Sequence, residues 1–460
     1  MSQDTLNNPP AATKTMGFDG FAGLPGRMSV HVARVNRLSR LIHGWSWQAY
    51  PIGMGTAAVY VCLAGVDPTP SHGLHVVQTI FYFLNIGLFL LNTTTLLLQL
   101  LLYPRQAVRL VLDPGKGIFV PLIVLSFATI IIGTVNYTAG GDVNLSPTVI
   151  YALFWVYIGF ALVVCFPMLM IWFNHPHDLT TFTPAWAFLV FPMMLGGVVA
   201  SNVLRVLDPA DVRALGVLMT GYVFQGLGFF MTLFYVCIYI IRIMTTGFLE
   251  GHQASGAFVA CGPPGFTALA LMNLGESARS ILTAQNLVSP MAGEIWYATS
   301  VLSALLLFGL AVFFFAFGVL PYWFKLHKRL SEILGCWALT FPNVGWILAT
   351  RKIGDIFNLE SFRIWNLIMT ILMCLTWLVL FYFTGLALLR GKIFTASPEE
   401  TLRDSRLKRP DLEMALAAST QVGLGVVSVM NSEGVRETQV INASSTVTTV
   451  HVAEPSTKTQ

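Results

Sequence analysis

The chain has 460 residues, of which 55% are hydrophobic and only 10% are charged, with a formal net charge of +4 and a mean hydropathy of +0.69. Soluble domains are about 25% charged, so this composition excludes an ordinary soluble protein and predicts a polytopic membrane protein. The six cysteines are scattered through the apolar segments without a CxxC or metal-ligand spacing, which is typical of small apolar residues in a core or in lipid.

The N-terminal region contains a polar stretch followed by an amphipathic one. Residues 1–26 are polar with few aromatic side chains, and we expect them to form a disordered cytoplasmic tail. In residues 27–43, apolar side chains recur at helical spacing beside several arginines: Met28, Val32, Val35, Leu38 and Ile42. This pattern predicts a basic amphipathic helix on the inner leaflet of the membrane.

Ten apolar segments follow, and backbone hydrogen bonding in lipid requires that they be helices. They span about residues 44–64, 77–102, 118–138, 147–172, 185–204, 213–243, 257–278, 293–320, 332–353 and 364–390. The predicted fold is therefore an all-α membrane protein, with a ten-helix transmembrane domain at residues 44–392. Residues 393–460 are polar again, and we expect a second disordered cytoplasmic tail there.

Basic residues cluster on one side of the predicted topology. They lie before segment 1 and after segments 2, 6, 8 and 10, so the positive-inside rule places both termini in the cytoplasm. The opposite side has six cations in its later part, which the rule does not explain: Arg205, Arg213, Arg279, Arg351, Lys352 and Arg363.

The odd-numbered segments contain prolines at a nearly constant period. The spacings are 70, 71, 71 and 79 residues between Pro51, Pro121, Pro192, Pro263 and Pro342. A period near 70 residues matches a helical hairpin, so we predict five hairpins in succession. Pro121 can lie in a first helical turn.

Prolines inside membrane helices free backbone carbonyls, which neighbouring helices or a water-filled cavity must satisfy. We expect the odd segments to form an inner ring of kinked helices that lines a polar pore, and the even segments to form an outer ring. The predicted kinks are at Pro51, Pro192, Pro263, Pro264 and Pro342. The alternative is that these prolines bend ordinary membrane helices without lining a pore.

Cations at the ends of the odd segments would make the pore mouth electropositive and attract anions. Because guanidinium binds carboxylate through two hydrogen bonds, the pattern favours a small organic anion. We expect Arg279 and Arg351 to bind the substrate, with Arg205 in support.

Local ion pairs are the alternative for each of these cations. The nearest carboxylates in the sequence pair Arg205 with Asp208, Arg279 with Glu276, and Arg351 or Lys352 with Asp355. Glu276 could either tether Arg279 or titrate during proton coupling, and the sequence leaves both roles open.

Neutral and aromatic side chains in the odd segments complete the predicted site. Asn202, Thr267 and Asn343 could offer hydrogen bonds that hold a passing anion weakly. Phe341 and Phe266 lie beside prolines, so we expect them to gate the pore; ordinary packing is the alternative.

No catalytic motif such as HExxH, a P-loop or GxSxG occurs in a suitable context, so the sequence predicts that the protein is not an enzyme. His175 and His177 resemble a metal pair only loosely, and solvated histidines are the favoured interpretation. We expect no cofactor, no metal and no nucleic-acid partner.

Three stretches resemble the tellurite-resistance/dicarboxylate transporter family, whose members include fungal malic acid transporters, fungal sulfite pumps and plant slow anion channels. They are PIGMGTAAV in segment 1, LTTFTPAWAFLVFPMMLGGVVASNVL before and in segment 5, and FVACGPPGFTALALMNLGESA in segment 7. The resemblance covers about residues 40–390. It implies five kinked inner helices, an outer ring of five, a homotrimer with one pore per protomer, and a phenylalanine gate on the ninth helix, here Phe341.

Within that family, GPPGFTALAL is most similar to the malate-type carriers. The resemblance therefore implies a plasma-membrane transporter of C4-dicarboxylates such as malate, succinate and fumarate, either passive or coupled to protons. A sulfite efflux pump or an anion channel of the same family is the alternative.

Overall fold

The computed structural model describes residues 36–66, 71–139, 145–322 and 332–404, and the strand residues 424–430, 436–442 and 447–448. The chain divides into two compact units, one of residues 35–406 and one of residues 1–34 with 407–460. The predicted tail at residues 1–26 and most of the predicted helix at residues 27–43 lie outside the described residues.

In the smaller unit, the described residues form a three-stranded antiparallel sheet. β1 (Leu424–Met430) pairs with β2 (Arg436–Asn442), and β2 pairs with β3 (Val447–Thr448). These segments are rich in β-branched residues, which favour strands. The sheet lies within residues 393–460, for which the sequence predicts disorder.

The larger unit is helical throughout its described residues, as predicted for an all-α membrane domain. Its α-helices are α1 (Arg37–Gly44), α2 (Tyr50–Val66), α3 (His72–Leu102), α4 (Pro104–Leu112), α5 (Pro114–Gly117), α6 (Leu122–Ala139), α7 (Pro147–Phe173), α8 (Phe191–Val203), α9 (Val212–Thr246), α10 (Gly262–Ala284), α11 (Ala292–Tyr322), α12 (Phe341–Ile356), α13 (Glu360–Leu389) and α14 (Pro398–Asp404). Short 3₁₀ segments precede α2, α8, α10 and α12 at Trp47–Ala49, Pro184–Leu189, Gly251–Cys261 and Gly335–Leu339.

Within the described residues, eight helical stretches are long and apolar enough to cross a membrane. They are Trp47–Val66, His72–Leu102, Pro114–Thr138, Pro147–Phe173, Val212–Thr246, Gln253–Ala284, Ala292–Leu320 and Glu360–Leu389. A shorter apolar stretch spans Phe191–Val206. The protein is thus a multi-pass membrane protein, as its composition predicts.

The periodic prolines begin helices and do not bend them from within. Pro51, Pro192, Pro263 and Pro342 each occupy the second position of their α-helix, and Pro264 occupies the third position of α10. Pro121 directly precedes α6. Proline suits a first turn because its missing N–H has no partner to lose there and its φ is already helical. The prediction of interior kinks is therefore wrong, and the bends are breaks between a 3₁₀ segment or turn and an α-helix.

The five helices that start at these prolines, here called the proline helices, contact one another in a closed succession. α2 packs on α6, α6 on α8, α8 on α10, α10 on α12, and α12 on α2. The helices that alternate with them each pack on neighbouring proline helices, for example α3 on α2 and α6, and α9 on α8 and α10. Buried residues dominate α8 and α10, whereas α3 and α13 expose many large apolar side chains, which is the pattern of surfaces that contact lipid.

Amides on the long helices bond to backbone carbonyls of their neighbours. The amide nitrogen of Asn92 lies 3.1 Å from the carbonyl oxygen of Ala49, and that of Asn366 lies 2.8 Å from the carbonyl oxygen of Ile347. Such bonds satisfy buried backbone groups that cannot reach water. They therefore hold α3 to the 3₁₀ segment before α2, and α13 to α12.

The chain after α13 folds back over α1. The Phe394 ring stacks on Trp45 with centroids 4.4 Å apart, and Arg40 Nε donates to the carbonyl oxygen of Ala396 at 2.8 Å. The buried carboxylate of Asp404 in α14 lies 3.0 Å from His43 Nε2. These contacts give residues 393–404 a defined position, which the expectation of a disordered tail from residue 393 did not include.

Candidate functional site

Two large cavities lie along the proline helices. Cavity A has a volume of about 770 Å³ and is lined by their later residues, such as Ala64 of α2, Ser201 of α8 and Ser277 of α10. Cavity B has a volume of about 670 Å³ and is lined by their first turns and the segments before them, such as Gln48, Ala185 and Ser255. The order of residues along each helix thus places the cavities toward opposite ends of the same five helices.

Phe341 lines both cavities and so forms part of the wall between them. Its ring contacts that of Phe266, which lines cavity A, with centroids 5.1 Å apart and planes tilted by 33°. Both side chains are buried. The two predicted gate residues are therefore in contact at the position where a continuous passage would be interrupted.

Two glycines hold the helices of these phenylalanines close together. A Cβ atom at Gly265 would lie 2.7 Å from the backbone nitrogen of Trp346, and one at Gly345 would overlap the backbone nitrogen of Phe266. Small residues permit such close approach of membrane helices. The crossing of α10 and α12 consequently fixes where the two rings meet.

Arg205 lines cavity A without a carboxylate partner in the described part of the chain. Its Nη1 donates to Asn136 Oδ1 at 2.6 Å and lies 3.5 Å from Asn202 Oδ1. The predicted local pair with Asp208 is not formed, because that carboxylate instead accepts from the backbone N–H of Ala210 at 2.9 Å. Arg205 thus faces cavity A with its charge uncompensated.

The other two cations of cavity A are paired. Arg351 Nε lies 3.0 Å from Asp355 Oδ2, which is one of the local pairs the sequence allows. Lys352 Nζ bonds to Glu276, so this carboxylate does not tether Arg279 as one alternative proposed. With three cations and two carboxylates in its lining, cavity A has a surplus of one positive charge.

Arg279 and Arg213 lie outside cavity A. Arg279 Nε donates to Glu294 Oε1 at 2.7 Å, and its guanidinium lies 5.5 Å from the Tyr297 ring centroid. It is absent from the described lining of either cavity, so the structure does not bring it to the predicted substrate site.

Arg213 bonds to Asp211, and this side-chain hydrogen bond, with a second from the Arg213 backbone, lowers the pKa of that carboxyl. The pair is accordingly charged on both sides at neutral pH.

Of the three neutral residues predicted to bind the substrate, one lines cavity A and two lie outside its described lining. Asn202 lines cavity A, although its amide nitrogen donates to the carbonyl oxygen of Val198 at 2.9 Å. Thr267 is buried outside both linings, where it donates to Pro263 and accepts from Gln225 Nε2 at 2.8 Å.

Asn343 is likewise buried away from cavity A. Its Oδ1 accepts from Trp346 Nε1 at 2.9 Å, and its Nδ2 donates to the carbonyl oxygen of Leu339 at 2.8 Å. These bonds involve both the oxygen and the nitrogen of its side-chain amide. Thr267 therefore links α10 to α9, Asn343 bonds within α12 and the segment before it, and neither is in the described lining of either cavity.

The sequence analysis missed residues of α3 that line cavity A: His75, Gln78 and Thr79. It assigned this helix to the lipid-facing ring, and most of its surface is exposed. A signal was available, because amides recur every seven residues at Gln78, Asn85, Asn92 and Gln99. Such spacing places them on one face of a helix, which in a membrane is expected to face other helices.

His177, one of the two histidines that loosely resemble a metal pair, has a packing role. His177 stacks on Trp172 with ring centroids 3.8 Å apart, and its Nε2 lies 2.8 Å from the carbonyl oxygen of the same tryptophan. Among the residues that the structure describes, no cluster of three or more potential ligands could hold a metal ion.

Comparison with known proteins agrees with a membrane conduit for anions. The family model described as "SLAC1: Voltage-dependent anion channel" matches residues 44–385. The chain is 27% identical to the malic acid transport protein of Schizosaccharomyces pombe, over 76% of this chain and 79% of that one. It is 26% identical to the sulfite efflux pump SSU1 of Arthroderma benhamiae and 25% identical to that of Trichophyton rubrum, each over 75% of this chain and 90% of the relative.

The family match spans every proline helix and both cavities. It agrees with the resemblance that the three sequence stretches carry. The protein therefore belongs to the SLAC1 voltage-dependent anion channel family, which also includes fungal malic acid transport proteins and sulfite efflux pumps among the relatives of this chain.

Proposed function

We propose that this protein transports C4-dicarboxylates such as malate, succinate and fumarate across the plasma membrane. In this proposal the proline helices form an inner ring around one pore per protomer, and the alternating helices form an outer ring toward the bilayer. The observation that carries the proposal is the pair of cavities along the same five helices, with Phe341 in the lining of both. Movement of this ring, together with Phe266, would open the passage.

The charge of cavity A supports an anionic substrate. Arg205 is the lining cation without a carboxylate partner in the described chain, and an unpaired guanidinium is suited to a carboxylate. The other polar groups of the lining, including Asn202, are neutral or paired, so they would bind an anion weakly enough to release it. Arg351 would take part only after exchanging Asp355 for the substrate.

The choice of a dicarboxylate rests on the similarity to the malic acid transport protein of Schizosaccharomyces pombe. The proposed homotrimer, the cytoplasmic position of both termini and the plasma membrane follow from the family resemblance and the positive-inside rule. Transport is passive or driven by the proton gradient. In the second case we assign the coupling to Glu276, whose carboxylate bonds to Lys352 at the cavity wall.

Sulfite efflux is the second candidate function. The identity to the sulfite efflux pumps is within two percentage points of that to the malic acid transport protein. Sulfite is a smaller anion with a single charged centre, and cavity A would accept it through Arg205 alone.

A transport assay separates these candidates. The purified protein in liposomes is given labelled malate or labelled sulfite at equal concentrations, with and without an imposed pH gradient, and empty liposomes are the control. We expect saturable malate uptake well above the control. Acceleration by an inward proton gradient would establish coupling, and equal rates would establish passive transport.

The opposite preference would change the assignment. Saturable sulfite flux without malate flux would assign the protein to sulfite efflux. Absence of flux for both anions, from protein that is folded and correctly inserted, would contradict the proposed function.

A further inference from the structure

Gln78 places an amide at the wall of cavity A on a helix that exposes many of its apolar side chains. It is only 7% exposed and lines the cavity, whereas its neighbours Val77 and Ile80 are 40% and 59% exposed. Polar side chains within membrane helices are costly and mark solute pathways or packing contacts. Whether its amide nitrogen has a hydrogen-bond partner distinguishes a solute contact from a packing contact.

The four amides on this face of α3 differ in one respect. Asn85 Nδ2 donates to Thr129 Oγ1 at 3.1 Å, and Asn92 and Gln99 donate to backbone carbonyls at distances from 2.8 to 3.1 Å. Gln78 Nε2 is buried and has no hydrogen-bond partner among the described residues. The three bonded amides hold α3 in place, and the unbonded one is the one that lines cavity A.

An uncompensated buried donor destabilises a protein unless a ligand satisfies it. The first turns of α3 also lie beside the anchor of Arg205. α3 packs on α6, and the His75 and Tyr137 rings stack with centroids 6.4 Å apart. Tyr137 follows Asn136, the residue that holds Arg205. Gln78 and Arg205 thus line the same side of one cavity.

We propose that Gln78 is a second binding point for the substrate, which donates its amide N–H to one end of a dicarboxylate while Arg205 binds the carboxylate at the other end. The inference rests on the proposed function and adds the groups that distinguish a dicarboxylate from an anion with one charged centre. An amide has no charge to hold the ligand strongly, so the second contact gives selectivity and still permits release.

The test compares Gln78→Leu with wild type in liposomes, with Thr95→Val as the matched control. Leucine has a similar volume and no donor. Thr95 lies on α3 outside the described linings of both cavities, and its hydroxyl donates to the carbonyl oxygen of Leu91 at 2.7 Å. Apparent KM is measured for labelled succinate and labelled sulfite, and the thermal midpoint is measured in detergent.

We expect Gln78→Leu to raise the apparent KM for succinate about tenfold and to leave that for sulfite within about twofold. Because the substitution breaks no hydrogen bond of the described chain, the thermal midpoint should stay equal or rise. Thr95→Val should match wild type in all three measurements.

An unchanged KM for succinate would overturn the inference, as would equal losses for succinate and sulfite. A lower thermal midpoint with reduced transport would assign Gln78 a packing role and would also overturn it. Calorimetric titration of succinate into detergent-solubilised wild type and Gln78→Leu keeps the test separate from transport. If wild type binds succinate but does not transport it, the proposed function fails, while a tenfold weaker binding by the variant still supports this inference.

Discussion

The two walls of cavity A differ in how their charges are compensated. On the wall formed by α10 and α12, Lys352 bonds to Glu276, and Arg351 bonds to Asp355. On the wall formed by α3, α6 and α8, the bonds of Arg205 to described residues are to amide oxygens. A passing anion would meet cations that already bond to carboxylates on one side and an arginine bonded to amides on the other.

This difference shows that the number of cations near a pore is a poor guide to the binding site. A cation with a carboxylate partner must first lose that partner before it binds a substrate, whereas an amide-bound arginine keeps its full charge. The sequence analysis ranked Arg279 and Arg351 above Arg205. Under the proposed function, the pairing favours Arg205 over both.

The largest expected effect is that of Arg205→Gln. Loss of a charge-assisted hydrogen bond costs about 1.5–3 kcal/mol, so the apparent KM for malate should rise about 10- to 100-fold. Arg279→Gln serves as the matched control, because Arg279 pairs with Glu294 outside the cavity lining, and its KM should stay within about twofold of wild type. Concentration-dependent uptake into liposomes measures both values.

Arg205→Lys refines this test because it keeps the charge but removes the planar pair of donors. An intermediate KM is expected for it. The comparison of the two walls would be wrong if Arg279→Gln raised the KM more than Arg205→Gln.

A smaller effect of opposite sign is expected for Glu276→Gln. The change removes the charged partner of Lys352 and so adds a second uncompensated cation to cavity A. Because a unit charge at 4 Å is worth about 1 kcal/mol in water, the apparent KM for malate should fall up to about fivefold. The same uptake assay measures it, and Glu294→Gln, which affects the pair with Arg279 outside cavity A, is the control.

A rise in KM for Glu276→Gln would indicate that Glu276 has a direct role in transport, such as proton coupling. In that case its variant should also abolish any acceleration by a pH gradient.

The smallest effect on transport is expected for Thr267→Val, although the residue was a predicted binding group. The change removes the acceptor of buried Gln225 Nε2, and leaving such a donor unsatisfied costs about 1–3 kcal/mol. The free energy of unfolding should therefore fall by that amount, while the apparent KM for malate stays unchanged. Denaturant unfolding in detergent and uptake measure the two quantities.

A changed KM with unchanged stability would contradict the structural role of Thr267. Thr350→Val is a suitable comparison, since its hydroxyl donates to its own helix at the carbonyl oxygen of Trp346 at 2.8 Å. It removes no partner from another helix.

The sequence predicted the helical segments and the proline period because both depend on local properties. Apolar length identifies a span, and the recurrence of about 70 residues predicts a repeated hairpin. The prediction of kinks inside the helices was wrong because local hydropathy does not show where one helix ends and the next begins. The 3₁₀ segment Pro184–Leu189 is as apolar as the helix that follows it, so hydropathy does not reveal the break before Pro192.

Partners of charged groups could not be predicted in the same way. The partner of Arg279 lies 15 residues away in the next helix, and Lys352 pairs with a residue 76 positions away. Such pairs depend on helix packing and rotation, which composition does not determine. Phe341 and Phe266 were found from the sequence because each adjoins a proline region, and the close crossing at Gly265 and Gly345 brings their rings together.

The central claim is that one aromatic barrier divides two cavities of a single passage. The anion flux of the Phe341→Ala variant tests it most directly. The variant and wild type are compared in liposomes at equal protein content, by electrical recording and by labelled malate. Phe308→Ala is the control, since that ring packs on Phe362 and is absent from the described lining of both cavities. The account predicts at least about tenfold greater flux for Phe341→Ala, because removing the ring joins the cavities. Flux equal to or below that of wild type, from folded protein, would contradict it.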